Sequence, residues 1–323
     1  MTNNIKPDKP FKTYDEQIEI LLSRKLVITD KEFAIHALKT FSYYDLINGY
    51  KEVFTDGDDF IPDISIEYLY LFAQFDKSLQ NILFQYSVII ENMFKSALAY
   101  VISKKYGVFV NDYLSINNYN VNNKNRDKLS KLLKDIVKLS NSPYVGQPTK
   151  HYRDTKNHIP SWILFKNVTF DDITKLYKYL KTEDKNSVSD LFIDLNISND
   201  RKLEFITTSI NLIRRCRNKI AHNLKFITYK DFRYKITKSN LNGDQHQSLF
   251  DEKSYNNIYG MIICINSILR NDYLKFDMNV SIDNLIKIYS EIDKNIPNDY
   301  FKITKIPQDY IERINIIMNQ SNI

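Results

Sequence analysis

The stretch IEYLYLFAQFDKSLQNILFQYSVIIENMFKSALAYVISK, residues 66–104, carries the longest regular apolar pattern in the chain. No Pro or Gly interrupts it. Apolar side chains recur every three or four residues, which is the spacing of one helix face. They are Phe75, Leu79, Ile82, Tyr86, Ile89, Met93, Ala97 and Val101. The stretch therefore predicts a long amphipathic helix, and with it a helical bundle.

The segments on either side show the same periodicity. Helices are predicted over residues 14–23, over residues 31–50 after a cap at Thr29 or Asp30 and ending near Gly49, and over 127–140, 171–182, 203–222 and 251–272. Residues 142–160 read as an irregular loop, and residues 224–238 alternate weakly enough to form one short β-hairpin. We expect a mostly all-α fold.

The chain of 323 residues shows no internal repeat and no clear linker. We divide it into an N-terminal helical segment (1–60), a central helical bundle (61–225) with a basic insertion (115–160), and a C-terminal helical extension (226–323).

Several classes of protein and site are disfavoured by composition. Two cysteines, Cys216 and Cys264, are too few for a disulfide framework or a cysteine-based zinc site. There is no phosphate-binding Gly loop, no His pair at i, i+4 and no Gly-x-Ser-x-Gly turn. We expect no metal and no cofactor. The N-terminus lacks a signal-peptide core and no apolar run spans a bilayer, so we expect a cytoplasmic protein without a membrane partner.

Positive charge is concentrated in one segment. The chain has a net charge of +6, and residues 124–156 carry nine Lys or Arg against three Asp, which accounts for the whole excess. Such a segment is either a solvated surface or the contact for a polyanion. With aromatic residues interleaved for base stacking, it is a candidate RNA-binding surface. The candidate residues are Lys124, Lys128, Lys131, Lys138, Lys150, His151, Tyr152 and Arg153. On a helix the first four fall near one face, and the apolar residues Leu129, Leu132, Leu133 and Ile136 face the body of the protein.

A second polar cluster, RRCRNKIAHN at residues 214–223, lies on a helix that is otherwise apolar. At 100° per residue, Arg215 and Asn218 project within about 40° of His222. An imidazole can exchange a proton with a ribose hydroxyl, and a guanidinium can bind the phosphate. The set therefore suits metal-independent RNA cleavage, in which the ribose itself is the nucleophile. The alternative is a basic helix end that opposes the helix dipole.

The sequence leaves open the orientation of Arg217 relative to His222 and the surroundings of Glu91. Arg217 lies five residues before His222, which places it about 140° away on an ideal helix. Either the helix is distorted, or Arg217 reaches around it, or the two residues meet partners separately. Glu91 lies among apolar neighbours in IIENMFKS. It is either at a solvated edge or a buried partner for an Arg.

Residues 217–222, RNKIAH, resemble the Arg-polar-three-residues-His signature of HEPN ribonucleases. The wider chain is similar to the Abi family of bacterial abortive-infection proteins, of the AbiD/AbiF type. The similarity is carried, in order, by YDEQIEILLSRKLVI, FSYYDLINGY, IIENMFKSALAYVIS, HIPSWIL and RCRNKIAHN. These stretches cover roughly residues 10–225, about two-thirds of the chain.

The resemblance implies a HEPN-like helical bundle, a toxin or phage-defence role, and RNA as substrate. It implies Arg217, Asn218 and His222 as catalytic residues, with Arg215 as a secondary candidate and Glu91 as a site partner. Some members of the family are restrained by a small structured RNA, so the resemblance implies such an RNA as a candidate partner. HEPN nucleases join two motifs in one site, so the single motif of this chain implies a homodimer or a second, cryptic half-site. The alternative is a catalytically inert RNA-binding regulator or a HEPN antitoxin.

Overall fold

The computed structural model describes residues 8–269 and 272–320, and these residues are mostly α-helical, as predicted. Two short antiparallel strand pairs are also present: β1 (Thr55–Asp56) with β2 (Asp59–Phe60), and β3 (Ile236–Thr237) with β4 (Ser254–Tyr255). Tyr44–Asn48 form a π-helical segment, and Ile116–Asn118, Lys238–Leu241 and Gln245–Leu249 form 3-10 turns. The α-helices are α1 (Tyr14–Ser23), α2 (Lys31–Tyr43), α3 (Lys51–Phe54), α4 (Ile66–Tyr106), α5 (Val110–Tyr113), α6 (Arg126–Asn141), α7 (Thr149–Thr155), α8 (Ser161–Leu164), α9 (Phe170–Lys178), α10 (Thr182–Phe192), α11 (Asn199–Ala221), α12 (Ile258–Ile268), α13 (Asp272–Asp293), α14 (Asn295–Thr304) and α15 (Tyr310–Gln320).

The described residues form two compact units that are discontinuous in sequence. The first runs up to Gln80 and also contains Ile282–Gln308, and the second contains Asn81–Ser281 and the residues from Asp309 onward. Two of the three boundaries fall inside α4 and α13, and the third lies between α14 and α15. The three segments expected from the sequence are continuous, so they describe order along the chain rather than these compact units.

The first unit is organised around a buried carboxyl. Asp76, on α4, is 2% exposed and accepts hydrogen bonds from the hydroxyls of Tyr50 (2.8 Å) and Tyr300 (2.7 Å). Burial raises the pKa of Asp76 above its ordinary value. Phe72 and Phe75 pack on the Tyr300 ring. These contacts join α4 to α14, which is more than two hundred residues later in the sequence.

The core of the second unit consists of α4, α9, α10, α11 and α12. The Phe94 ring of α4 lies within 5.0–6.4 Å of the rings of Phe170, Tyr177 and Phe192. Every residue of α12 is buried. Its apolar composition on all sides is typical of a central helix. The two cysteines, on α11 and α12, are buried free thiols.

Several local expectations were wrong. In the middle of α4, Tyr86 is buried as predicted. Leu83, Ile90 and Phe94 are fully buried as well, whereas the predicted Ile82, Ile89 and Met93 are only half-buried. The stripe drifts by one residue there because a helix of this length, at 3.6 residues per turn, follows no fixed three-four repeat. The helix expected at 251–272 begins only at Ile258, because Asn257 caps it and Tyr255 lies in β4.

Two further segments differ in part. The segment 142–160, expected to be an irregular loop, contains α7. The helix expected at 171–182 forms as α9 but ends at Lys178, and Thr182 is already the first residue of α10. No hairpin forms inside 224–238, since the partner of β3 is β4, beyond that segment. The hairpin between β1 and β2 was not anticipated. None of the helices in the described ranges combines the length and the apolar character needed to cross a bilayer.

Candidate functional site

The polar cluster at residues 214–223 lies on the last turns of helix α11 and on the two residues that follow it. The buried face of α11, which includes Phe205, Ile206, Ile210 and Ile213, fixes the helix against the core. His222 is the C-cap, and Asn223 adopts the left-handed conformation (φ 50°). The N–H groups of Asn223 and Leu224 donate to the carbonyls of Ile220 (3.0 Å) and Lys219 (3.0 Å). This is the Schellman arrangement, for which Asn is a suitable residue.

Arg217 faces α4. Its Nη2 lies 3.5 Å from Oε2 of Glu91, and its Nη1 donates to Oδ1 of Asn218 at 3.1 Å. Its guanidinium also lies 5.5 Å from the centre of the Phe84 ring. The side chain remains 30% exposed, so a ligand can reach it.

Glu91 is a largely buried partner for an arginine rather than a residue at a solvated edge. Its side chain is 14% exposed, and its Oε1 also pairs with Nζ of Lys95 at 2.8 Å. One carboxylate thus faces two cations from two helices. This contact was the alternative left open by the sequence.

His222 is exposed, and among the described residues its imidazole forms no hydrogen bond and no ion pair. Its backbone N–H donates to the Asn218 carbonyl at 3.1 Å. Arg217 and His222 therefore have separate surroundings, which matches the third geometric possibility stated above. The structure brings Arg217, Asn218 and Glu91 into contact and leaves the imidazole free at the helix end.

Arg215 is engaged elsewhere. Its Nε donates to the carboxylate of Asp231, whose side chain is fully buried. Burial alone raises the pKa of Asp231, but hydrogen bonds from Tyr229, from the Tyr234 N–H and from Arg215 outweigh it, and the pKa lies below its ordinary value. Through this ion pair, Arg215 fixes the segment that follows α11 against the helix.

Arg214 also forms an ion pair. Its Nη1 lies 2.6 Å from Oδ1 of Asp171, on α9. All three arginines of the cluster thus pair with a carboxylate. This part of α11 is therefore rich in positive charge, and its arginines also connect the helix to α9, to α4 and to the segment after α11.

The basic candidates lie on and around α6 and α7. Lys128, Lys131 and Lys138 are exposed on α6, and Leu129, Leu132, Leu133 and Ile136 are buried on its opposite face, as predicted. Lys124 is exposed but precedes the first residue of α6, so its expected position on the helix face was wrong.

The other basic candidates lie on α7. Lys150 and His151 are exposed, whereas Tyr152 and Arg153 are half-buried. Arg153 donates to the Ser142 carbonyl and pairs with Asp154 at 2.8 Å. Arg153 therefore has a local structural role.

A cleft of about 300 Å³ lies beside α7. Phe109, Arg153, Lys156 and His158 line it, together with other residues of α5, α6 and the loop after α7. The Phe109 and His158 rings lie 5.7 Å apart. Neither residue was singled out from the sequence, because nothing in the local pattern brings residue 109 to residue 158.

No three His, Cys, Asp or Glu side chains cluster closely enough to hold a metal ion in residues 8–269 and 272–320. Asp171 and Asp231, which neutralise Arg214 and Arg215, were not predicted from the sequence. No signal in the sequence could have identified them, since an isolated Asp in a polar segment has no characteristic pattern.

Comparison with curated proteins and with solved structures finds no match. A family model does match: the family is described as Abi-like protein, and the match covers residues 36–228. That range begins within α2 and ends after α11, so it includes Glu91, the basic segment and the whole RNKIAH motif. Since the match extends over more than half of the chain, the chain belongs to the family of Abi-like proteins.

Proposed function

We propose that the protein is a metal-independent endoribonuclease of the HEPN type that acts in the cytoplasm. Membership of the Abi-like family suggests a role in abortive infection, that is, in phage defence. The observation that carries the enzymatic proposal is the end of α11. There the exposed His222 imidazole has no partner among the described residues, and Arg217, five residues earlier on the same helix, is held in place by Glu91 and Asn218.

In the proposed reaction the ribose 2′-oxygen attacks the adjacent phosphorus, and the bond from phosphorus to the 5′-oxygen breaks. The 2′-hydroxyl loses a proton to a base, and the leaving 5′-oxygen gains one from an acid. His222 is the acid/base group. Arg217 binds the phosphate oxygens and the charge that develops on them, and Asn218 orients Arg217. The products are a 2′,3′-cyclic phosphate and a 5′-hydroxyl.

A single imidazole cannot serve as base and acid in the same step. Two copies of the chain would supply two His222 side chains, one for each role. The proposed enzyme is therefore a homodimer in which the ends of the two α11 helices face one RNA phosphate.

We propose RNA as the partner of the basic segment as well, either as substrate or as a small structured RNA that restrains the enzyme. The support is geometric. The lysines of α6 share one exposed face, and their aliphatic neighbours are turned into the core, so the cations are available to phosphates.

The second candidate is a catalytically inert RNA-binding regulator or an antitoxin. One observation favours it: Arg214, Arg215 and Arg217 each pair with a carboxylate, as the cations of a purely structural helix end would. In that case His222 is only the helix cap.

The test compares the wild-type protein with His222→Ala. Expression of the wild type, alone or with phage infection, is expected to arrest bacterial growth, and His222→Ala to relieve the arrest. The purified wild type is expected to cleave RNA in the presence of a chelator and to leave 2′,3′-cyclic ends. His36→Ala, at another exposed histidine, is the matched control. Equal growth and equal RNA integrity with wild type and His222→Ala would favour the inert regulator.

A further inference from the structure

The segment that follows α11 is fixed in place by one buried carboxylate. Asp231 is 2% exposed and accepts hydrogen bonds from the Tyr229 hydroxyl (2.6 Å) and from the N–H groups of Arg233 (2.8 Å) and Tyr234 (2.8 Å). Its backbone exchanges two hydrogen bonds with Asn256, each of 2.7 Å. With the Arg215 ion pair, these contacts hold residues 229–234 against the helix that carries the candidate catalytic residues.

Residues 229–234 display one aromatic ring to solvent. Phe232 is 77% exposed, although its neighbour Asp231 is buried. Two guanidinium groups lie against the ring: that of Arg215 at 4.9 Å from its centre and that of Arg233 at 5.0 Å. Exposing a large apolar ring on an ordered segment has a cost in free energy, which a ligand that covers the ring would recover.

The cations around the ring define the chemistry of that ligand. Within the described residues, Arg233 pairs with no carboxylate, so its charge is free to meet a phosphate. Lys219, on α11, lies 5.0 Å from the centre of the neighbouring Tyr229 ring. Flat rings with guanidinium planes beside them are the surface on which proteins stack unpaired bases, and the cations meet the backbone that joins those bases.

We propose that Phe232, flanked by Arg215 and Arg233, is the stacking platform for an unpaired base of the RNA strand bound at the end of α11. This inference rests on the proposed function, since it assigns the substrate class to that same site: single-stranded RNA rather than a continuous duplex. Arg215 is a positioning residue in this arrangement. It holds Asp231, and through Asp231 it holds the platform, while Arg217 is left to bind the scissile phosphate.

The experiment uses the full chain with His222→Ala, so that RNA is bound but not cut. The affinity for a fluorescein-labelled single-stranded 12-mer is measured by anisotropy, with a hairpin duplex of equal length beside it. Adding Phe232→Ala is expected to weaken binding of the single strand by about tenfold, as for the loss of one stacked base, and to leave the duplex unaffected. Phe232→Trp is expected to restore the affinity. Phe276→Ala, at another exposed phenylalanine, is the control.

A second measurement locates the base directly. RNA carrying 5-bromouracil is irradiated on the His222→Ala protein, and the cross-linked peptide is expected to contain residue 232. Equal affinities with and without the Phe232→Ala substitution, or cross-links confined to other segments, would overturn the platform while leaving the nuclease proposal intact. Loss of self-association in Phe232→Ala with unchanged RNA affinity would also overturn it, because the ring would then belong to a contact between copies. Failure of the His222→Ala protein to bind any RNA would overturn both proposals.

Discussion

Glu91 places one negative charge beside the cation that we assign to the phosphate. Its carboxylate is shared by Arg217 and Lys95, and it is largely buried. A carboxylate in this position orients the guanidinium, and it also opposes the approach of an anionic substrate. The two effects act on different kinetic constants, so they can be separated.

We predict that Glu91→Gln lowers kcat for RNA cleavage by about tenfold to a hundredfold, because Arg217 loses its fixed orientation. KM is expected to stay the same or to fall, because a negative charge has been removed near the phosphate. Steady-state kinetics on a short RNA check this, with Glu204→Gln on the exposed side of α11 as control. A raised KM at unchanged kcat would contradict a positioning role.

Asp231 leads to a prediction about pH. Its pKa in the folded protein lies below the value of about 3.9 expected for the unfolded chain. Its contribution to stability is therefore present above about pH 4 and is lost as the pH falls through the folded-state pKa. We predict that Asp231→Asn lowers the free energy of unfolding by about 2 kcal/mol at neutral pH.

The difference between wild type and Asp231→Asn is expected to narrow below about pH 4, where the Asp231 carboxylate of the unfolded chain takes up a proton before that of the folded chain does. Urea unfolding at several pH values measures it. Asp135→Asn, at an exposed position on α6, provides the comparison. A difference that is constant down to pH 3 would mean that the Asp231 carboxylate does not stabilise the segment through its charge.

At the level of secondary structure, the long helices could be predicted from the sequence, whereas the short helices and loops between them were predicted less well. Helix α4 was expected at 66–104 and spans the 41 residues Ile66–Tyr106, because such a long stretch of regular apolar spacing without Pro or Gly leaves few alternatives. Segment 142–160 was expected to be a loop because its Pro, Gly and Ser residues suggest turns, yet α7 forms within it. Short helices such as α7 depend on tertiary contacts, here Thr149 against the Ile163 carbonyl, rather than on local pattern.

The candidate site was also predictable only in part. The motif on α11 could be recognised because its residues lie within nine positions of one another. Of the acids that pair with its arginines, Glu91 on α4 was expected as a partner. Asp171 on α9 and Asp231 after α11 were not, because their positions along the chain gave no hint of contact. Phe232 lay in a segment expected to form a hairpin, in which one aromatic residue in alternation would be unremarkable. Its exposure between two guanidinium groups is visible only in three dimensions.

The exposed lysines of helix α6 are the proposed contacts to RNA phosphates. Its lysines lie on one exposed face, so replacing Lys128, Lys131, Lys138 and nearby Lys150 with Glu should weaken RNA binding. The dependence of log affinity on log salt should become shallower, by a little under one unit for each phosphate contact removed. Arg153 is left unchanged, because it donates to the Ser142 carbonyl and its loss would disturb α7.

Anisotropy at two salt concentrations measures the affinity and its salt dependence. The control carries the same four charge reversals at exposed lysines of the first unit: Lys9, Lys39, Lys51 and Lys302. Equal losses in the two variants would indicate a general effect of net charge. An unchanged affinity and salt slope in the α6 variant would show that its lysines are solvated surface only.

At the scale of the whole molecule, the decisive question is how many copies of the chain form one active site. Each chain has one RNKIAH motif, and the proposed step needs both a base and an acid. We predict a two-fold homodimer, so light scattering at micromolar concentration should give twice the chain mass of 38.3 kDa. Full activity in a species of 38.3 kDa would reject the shared site.

A mixed dimer tests the shared site more sharply than the mass does. Wild-type and His222→Ala chains with different tags are co-expressed and purified through both tags, so that every dimer holds one imidazole. If the two His222 side chains act on one phosphate, the mixed dimer should have only a small residual activity, because either the base or the acid is missing. If each chain carries a complete site, the mixed dimer should retain half of the wild-type rate. A dimer of wild-type and His36→Ala chains, purified in the same way, should keep the full rate, since His36 has no part in the proposed chemistry.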